Sequence, residues 1–271
     1  MKHTAAWLQL NRRVFRASET LCDTLKPQIS TNPFACVCHS FLRRGGRTLR
    51  AVNALFEKQL IEQAQALVRS LLENNVNFHW FIHLSESNRL EAMRLYLDAM
   101  MLDWIRQASE GRSVGFLDPC DQHEIERLAK TESEIRARYS SQDFQKMKKF
   151  GFTKLPFEQR ARKIGLEQIY CVVYRTFSRP VHSSDFAEQR AITAETNLES
   201  SAEILENITF CTGLFSVVGV TTKVNDLFRL AEADKMNELW HAYDRLGRKT
   251  GILSGHSISR FAASSSQTPH A

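Results

Sequence analysis

The chain has 271 residues, 43% of them apolar and 24% charged, with a formal net charge of +6. That is enough to bury a sizeable core, and the charge is too modest for a strongly basic nucleic-acid-binding tail, although it permits a polyanionic partner such as nucleic acid. Only 11 glycines and 6 prolines punctuate it, which favours long helices over many short strands.

The N-terminal stretch is broken by polar residues too early to form a signal-peptide core, and no consecutive apolar run reaches the roughly 18–20 residues of a membrane span. The expectation is a cytoplasmic protein with reduced thiols and no membrane association. The six cysteines stand at 22, 36, 38, 120, 171 and 211. Cys36-Val37-Cys38-His39 is the only cluster near metal-ligand spacing, and it lacks a second pair.

In chain order, residues 5–26 carry Trp7, Leu10, Val14, Leu21 and Leu25 at helical spacing, and Pro27 closes that helix. A loop with Asn32 and Pro33 follows. The pattern from Phe41 to Phe56 is helical again, with Gly45-Gly46 as its weak point or its start. If the glycines do not interrupt it, Arg43, Arg47 and Arg50 share one face, as a solvated surface or a phosphate-binding one. Residues 57–84 form the strongest helix, apolar around most of its circumference and therefore buried. Arg69, Glu73 and Asn77 lie on it four residues apart, as a structural polar ladder or the lining of a cleft. His79 and His83 are also four apart, a spacing that can hold a metal, but no third ligand lies nearby in sequence.

Ser87 reads as the cap of a helix over 88–109, and Gly111 to Pro119 as a loop. Residues 120–149 are polar and read as an exposed helix, part of an excursion over about 118–150. A helix over 158–178 leads into Tyr170-Cys-Val-Val-Tyr-Arg-Thr-Phe-Ser-Arg-Pro-Val-His-Ser-Ser-Asp185. Pro180 ends or kinks it, leaving Arg175 in the last turns and His182 just past the break. Helices over 199–222 and 224–246 follow, the first apolar enough that a strand is an alternative. Gly247 reads as a helix terminator, and the polar tail beyond it as disordered. The domain reading is an N-terminal helical extension over 1–39, a helical core over 40–247 and a tail over 248–271.

Arg175 and His182, with six residues between them, match the R-x₄₋₆-H spacing of the HEPN superfamily of helical bundles. The order R-T-L-R-A-V-N-A-L, then R-S-L-L-E-N, then Y-R-T-F-S-R-P-V-H-S-S resembles an uncharacterised bacterial family of all-helical proteins near HEPN. The resemblance covers roughly 40–245. It implies an all-α multi-helix bundle, a HEPN-like core with helical extensions, and metal-independent RNA cleavage without a cofactor. It also implies a homodimer whose two motifs meet, in a toxin or phage-defence role with an antitoxin or defence-system partner.

On that reading Arg175 and His182 are catalytic. Glu73 orients one of them, and Arg69, Asn77, Tyr174, Ser178, Arg179 and Ser183 support or bind substrate. The stretch departs from the pattern in two places. Thr176 stands where active members often carry a polar amide, and Pro180 lies inside the motif. Two other function classes stay open: a non-catalytic helical interaction or sensor protein, and a metal-dependent hydrolase using His79 and His83.

Overall fold

The computed structural model describes residues 3–113, 122–167 and 198–253, and the described elements are all helical. They are α1 (Thr4–Leu25), α2 (Pro33–Glu57), α3 (Ile61–Ser87), α4 (Arg89–Ser113), α5 (Gln122–Arg138), α6 (Ser141–Phe150), α7 (Phe157–Lys163), α8 (Leu198–Phe228) and α9 (Ala233–Lys249). Short 3₁₀ turns occupy Lys26–Gln28 and Gly151–Thr153. The all-α multi-helix architecture expected from the sequence is therefore what forms.

The chain divides into two compact units. The first comprises residues 1–78 and 166–271, the second residues 79–165. In the first, α8 runs through the core. Phe210, Leu214, Val217, Val218, Val220 and Val224 are buried along it, with the polar Glu206, Asn207, Thr209, Thr212, Ser216 and Thr221 buried beside them. Most of these hydroxyls turn back on their own helix, as Thr209 does to Leu205 O and Thr221 to Val217 O, each at 2.6 Å. The helix can thus be buried on all sides without orphaned hydroxyls. Glu203–Phe228 is long and apolar enough to cross a membrane by length and composition, and 78% of its most apolar window is buried inside the fold. A search for uninterrupted apolar runs misses this stretch because single Thr, Ser and Asn residues break it.

Phe210 is the pivot of the packing. It stacks on Phe56 of α2 at 3.8 Å between ring centroids and parallel to Trp7 of α1 at 6.1 Å. Polar contacts fix the register around it. Trp7 Nε1 donates to Asn207 Oδ1 at 2.8 Å, Thr4 Oγ1 to the buried Glu206 at 2.6 Å, and Asn11 Nδ2 to Asn53 Oδ1 at 2.6 Å. On another face of α8, Trp240 and Tyr243 of α9 meet edge-on, with Cys211 Sγ 3.0 Å from the Tyr243 hydroxyl. Burial pushes the Cys211 thiol up to about 11, against the smaller downward pull of its hydrogen bond with Tyr243.

The second unit is tied by a smaller aromatic cluster. Phe81, Tyr96 and Phe152 meet at 5.0–6.4 Å. Asp98, nearly buried on α4, accepts hydrogen bonds from Arg138 Nη1 at 2.8 Å and Tyr139 Oη at 2.9 Å. Those bonds hold the C-terminal end of α5 against α4.

Several boundaries differ from the sequence reading, each for a local reason. Asn32 and Pro33 start α2 rather than form a loop. Asn32 Oδ1 accepts from the Phe34 and Ala35 amides at 3.1 and 3.2 Å, and Pro33 takes the first helical position, where no amide is needed. The helix passes unbroken through residues 39 and 40, where the sequence suggested a domain boundary. Asn88, not Ser87, caps α4, accepting from the Glu91 amide. The exposed helix expected over 120–149 is two helices, separated at Ser140, whose Oγ accepts from Asp143 N. The helix expected over 158–178 halts at Lys163, where Gly165 adopts a left-handed φ of 75°. What had been divided near 222 is one helix to Phe228.

Gly247 does not terminate α9. Gly251 does, with φ +72°, and Ile252 N and Gly251 N bond to Gly247 O and Arg248 O in a Schellman arrangement. Gly247 instead leaves room for Leu253, which folds back onto it.

Gly45 and Gly46 are helical packing positions. A Cβ at Gly46 would collide with the Ser18 hydroxyl of α1, and one at Gly45 would press on Asn74 of α3 and Val217 of α8. The pair lets α2 approach three helices at once. Gly46→Leu is expected to cost about 1–3 kcal/mol by forcing α1 and α2 apart. Gln59 ends α2 in the left-handed region at φ +60° in another Schellman arrangement. Gln59→Gly should therefore stabilise by about 1 kcal/mol. Paired thermal melts followed by circular dichroism check both signs.

Candidate functional site

The continuity of α2 makes a functional surface that the sequence leaves conditional. With no break at the glycines, His39, Arg43, Arg47 and Arg50 recur at spacings of four, four and three and share a face. Across from them α1 presents Phe15, Ser18, Glu19, Cys22 and Asp23. These residues, Gly46, and Lys26 and Ile29 at the following turn line a cleft of about 480 Å³, to which α2 contributes His39, Arg43 and Arg47. Gly46 lies in its lining because nothing larger fits beside Ser18. Arg50 stands just outside, its guanidinium over the Phe15 ring at 5.7 Å.

The electrostatics of the cleft are incomplete within the protein. Among the described residues, no carboxylate lies within ion-pair distance of Lys26, Arg43 or Arg47. Some exposed arginines elsewhere are paired, such as Arg12 with Glu57 at 2.7 Å and Arg138 with Asp98 at 2.8 Å. The cleft holds three formal cations against the two carboxylates Glu19 and Asp23. His39 is half-buried, and burial followed by the Arg43 charge lowers its pKa, so the imidazole is neutral at neutral pH. The Cys22 thiol is pushed up to about 11, first by burial and then by the Asp23 carboxylate, against the smaller pull of Arg43 and Arg47. It is a protonated thiol, not a nucleophile. The surface suits binding an anion rather than performing covalent chemistry.

The sequence pointed to Arg43, Arg47 and Arg50 as one face. It did not point to Lys26, Asp23, Cys22 or His39 as their partners across a cleft. The available signal was Asn32-Pro33: read as a cap and first turn, it starts the helix early enough to bring His39 into line with the arginines.

The other candidates from the sequence fall elsewhere. On α3, Arg69 Nε lies 3.3 Å from Glu73 Oε1, an ion pair one helical turn long whose side chains are partly exposed. Asn77, one turn further, is half-buried. Arg175, His182, Tyr174, Ser178, Arg179 and Ser183 lie outside the described residues. His83 is exposed and rests against the Trp80 ring at 5.2 Å, His79 is half-buried, and no group of three or more potential metal ligands occurs among the described residues. Cys36 and Cys38, two apart on a helix, point to opposite sides of α2, and Cys38 is buried.

The half-buried Cys22 thiol gives a direct check on the cleft. Alkylation by iodoacetamide at pH 8, followed peptide by peptide in a mass spectrometer, should label Cys22 on the order of 100-fold more slowly than an unperturbed cysteine. Asp23→Asn should speed it, since the neighbouring carboxylate helps hold the proton on.

No curated protein and no solved structure matches the chain. A family model described as "Family of unknown function (DUF5677)" matches residues 35–197, a span that contains His39, Arg43 and Arg47 of the cleft and the whole Tyr170–Asp185 stretch. With more than half of its length matched, the chain belongs to this family of unknown function.

Proposed function

We propose that this protein acts on RNA as a HEPN-like, metal-independent endoribonuclease. The observation that carries the reading is the cation-lined cleft between α1 and α2, whose Lys26, Arg43 and Arg47 have no carboxylate at ion-pair distance among the described residues. Solvent-exposed cations gathered around one concave surface attract an anion, and a phosphate group of RNA is one that the net charge of +6 also permits.

The chemistry rests on Arg175 and His182. The ribose 2′-oxygen attacks the adjacent phosphorus, its proton passing to an imidazole; the P–O5′ bond breaks, and a proton is delivered to the departing 5′-oxygen. The products are a 2′,3′-cyclic phosphate and a 5′-hydroxyl, with no oxidant or metal required. An imidazole has the pKa for such transfers near neutrality, and a guanidinium offers a fixed fork to the phosphorane oxygens. Two protomers meeting as a homodimer would supply one base and one acid. Tyr174, Ser178, Arg179 and Ser183 are the supporting contacts in this reading, and Glu73, with Arg69 and Asn77, belongs to the same assignment. A cytoplasmic toxin or defence effector, held by an antitoxin or defence-system protein, is the biological setting it suits.

A second reading, a non-catalytic interaction or sensor protein, is favoured by α4. Leu90, Leu97, Met100 and Trp104 recur along it at helical spacing and are each half or more exposed. Such a stripe is what a helical partner covers.

Purified protein incubated with mixed RNA in EDTA should release fragments ending in 2′,3′-cyclic phosphate. His182→Ala and Arg175→Ala should each lower the rate about 100-fold or more while leaving the circular dichroism spectrum unchanged. Fragments that form only on adding a divalent metal, or that persist in both variants, overturn the assignment.

A further inference from the structure

We propose that the α1–α2 cleft is a binding site for a nucleotide phosphomonoester, with Arg43, Arg47 and Lys26 holding the phosphate and Asp23 and Glu19 accepting hydroxyl or amino hydrogens of the nucleoside. This builds on the reading of the cleft as an anion site and adds the ligand class; it holds whether or not Arg175 and His182 cleave RNA.

Size is the first argument. About 480 Å³ is the volume of a small-ligand pocket, not of an extended backbone-tracking groove. The second is the pattern of charge. A surface that tracks a running strand is basic along its length. Here the cations on α2 and the turn face two carboxylates on α1. Those carboxylates repel a continuing chain of phosphodiesters and accept hydrogen bonds from ribose hydroxyls or exocyclic amines. Three cations against two carboxylates leave the lining net positive, and a terminal phosphate meets the guanidinium and ammonium donors together while the nucleoside meets the carboxylates.

The third argument is the lining itself. Phe15 and Ile29 provide apolar surface for a base, and Gly46 lets Ser18 and Phe15 of α1 close against α2 beside the two arginine positions. Cys22 and His39 remain neutral and so do not compete for the anion. The phosphate source can be a free nucleotide or the end of an RNA, and the same groups recognise both.

The test uses the full-length His182→Ala protein, so that RNA is not consumed, with binding measured by isothermal titration calorimetry. The probes are adenosine, adenosine 5′-monophosphate, and an RNA oligonucleotide carrying either a terminal phosphate or hydroxyls at both ends. Adenosine 5′-monophosphate should bind at least about ten-fold more tightly than adenosine. Arg43→Gln/Arg47→Gln should remove that advantage, and Arg44→Gln, on α2 but outside the cleft lining, should keep it. Oligonucleotide binding that exceeds the mononucleotide and depends on the terminal phosphate identifies an RNA end as ligand; mononucleotide binding as tight as the oligonucleotide identifies a free nucleotide.

A second readout needs no cleft variant. The His39 ring, faced by Arg43 of its own helix, Asp23 of α1 and Lys26 of the turn, should titrate at higher pH in NMR when adenosine 5′-monophosphate is bound. Equal binding of adenosine and its monophosphate, an unmoved His39 titration, or equal losses in Arg44→Gln and the double variant would each overturn the proposal. Absence of cleavage by the unsubstituted protein in the ribonuclease assay, with phosphate-dependent binding intact, would overturn the catalytic reading alone.

Discussion

The first unit depends on placing a long apolar helix where water cannot reach it. Along α8, from Phe210 to Val224, side chains are buried on successive turns, and the neighbours that bury them come from α1, α2, α3 and α9. Phe210 concentrates the requirement. Its ring sits between Trp7 and Phe56, so one α8 side chain joins the first two helices of the chain to a helix that begins well over a hundred residues later. Aromatic stacking of this kind contributes about 0.5–1.5 kcal/mol per pair beyond the area it buries. The Trp7–Asn207 and Thr4–Glu206 hydrogen bonds add direction that stacking lacks, since a slip of one residue would leave buried polar atoms without partners.

That constraint reaches the cleft through glycine. For α2 to cover α8 and α3 and still accept α1, its backbone must come close to several helices in the same turn. Gly45 faces Asn74 and Val217 while Gly46 faces Ser18. The bare backbone at Gly46 brings α1 and α2 together on the core side, and the long side chains of Arg43 and Arg47 on one helix and Lys26 beyond the other spread around the opening. Packing economy inside and charge accumulation outside are thus two consequences of one Gly-Gly step in a helix that carries arginines on either side of it.

The uncompensated cations give the functional reading its physical content. Several arginines among the described residues find a carboxylate three or four residues away on their own helix, as Arg106, Arg127 and Arg248 do. The cleft arginines have none there. Their nearest acids lie across the opening, and the desolvated neutral groups Cys22 and His39 lie between. Membership of a family of unknown function supplies no chemistry by itself, so the argument for an anionic ligand stands on this local imbalance.

Periodicity and composition in the sequence determined the helical class, the approximate extent of α1, α3 and α4, and the burial of α3. Those features follow from one-dimensional spacing of apolar residues at 3.6 per turn. The sequence also made the arginine face of α2 conditional on the glycines, and it placed the Arg69–Glu73 pair correctly because an i, i+4 contact is local. Tertiary structure alone decided the rest. Whether Gly45-Gly46 breaks a helix or seats it depends on neighbours hundreds of atoms away, since a glycine's cost in a helix is only about 1 kcal/mol and a close helix approach repays it. Likewise, nothing in the spacing of Glu19, Cys22, Asp23 and Lys26 says that they face His39, Arg43 and Arg47; an antiparallel crossing of two helices, set by what each buries behind it, brought the two stripes to one opening.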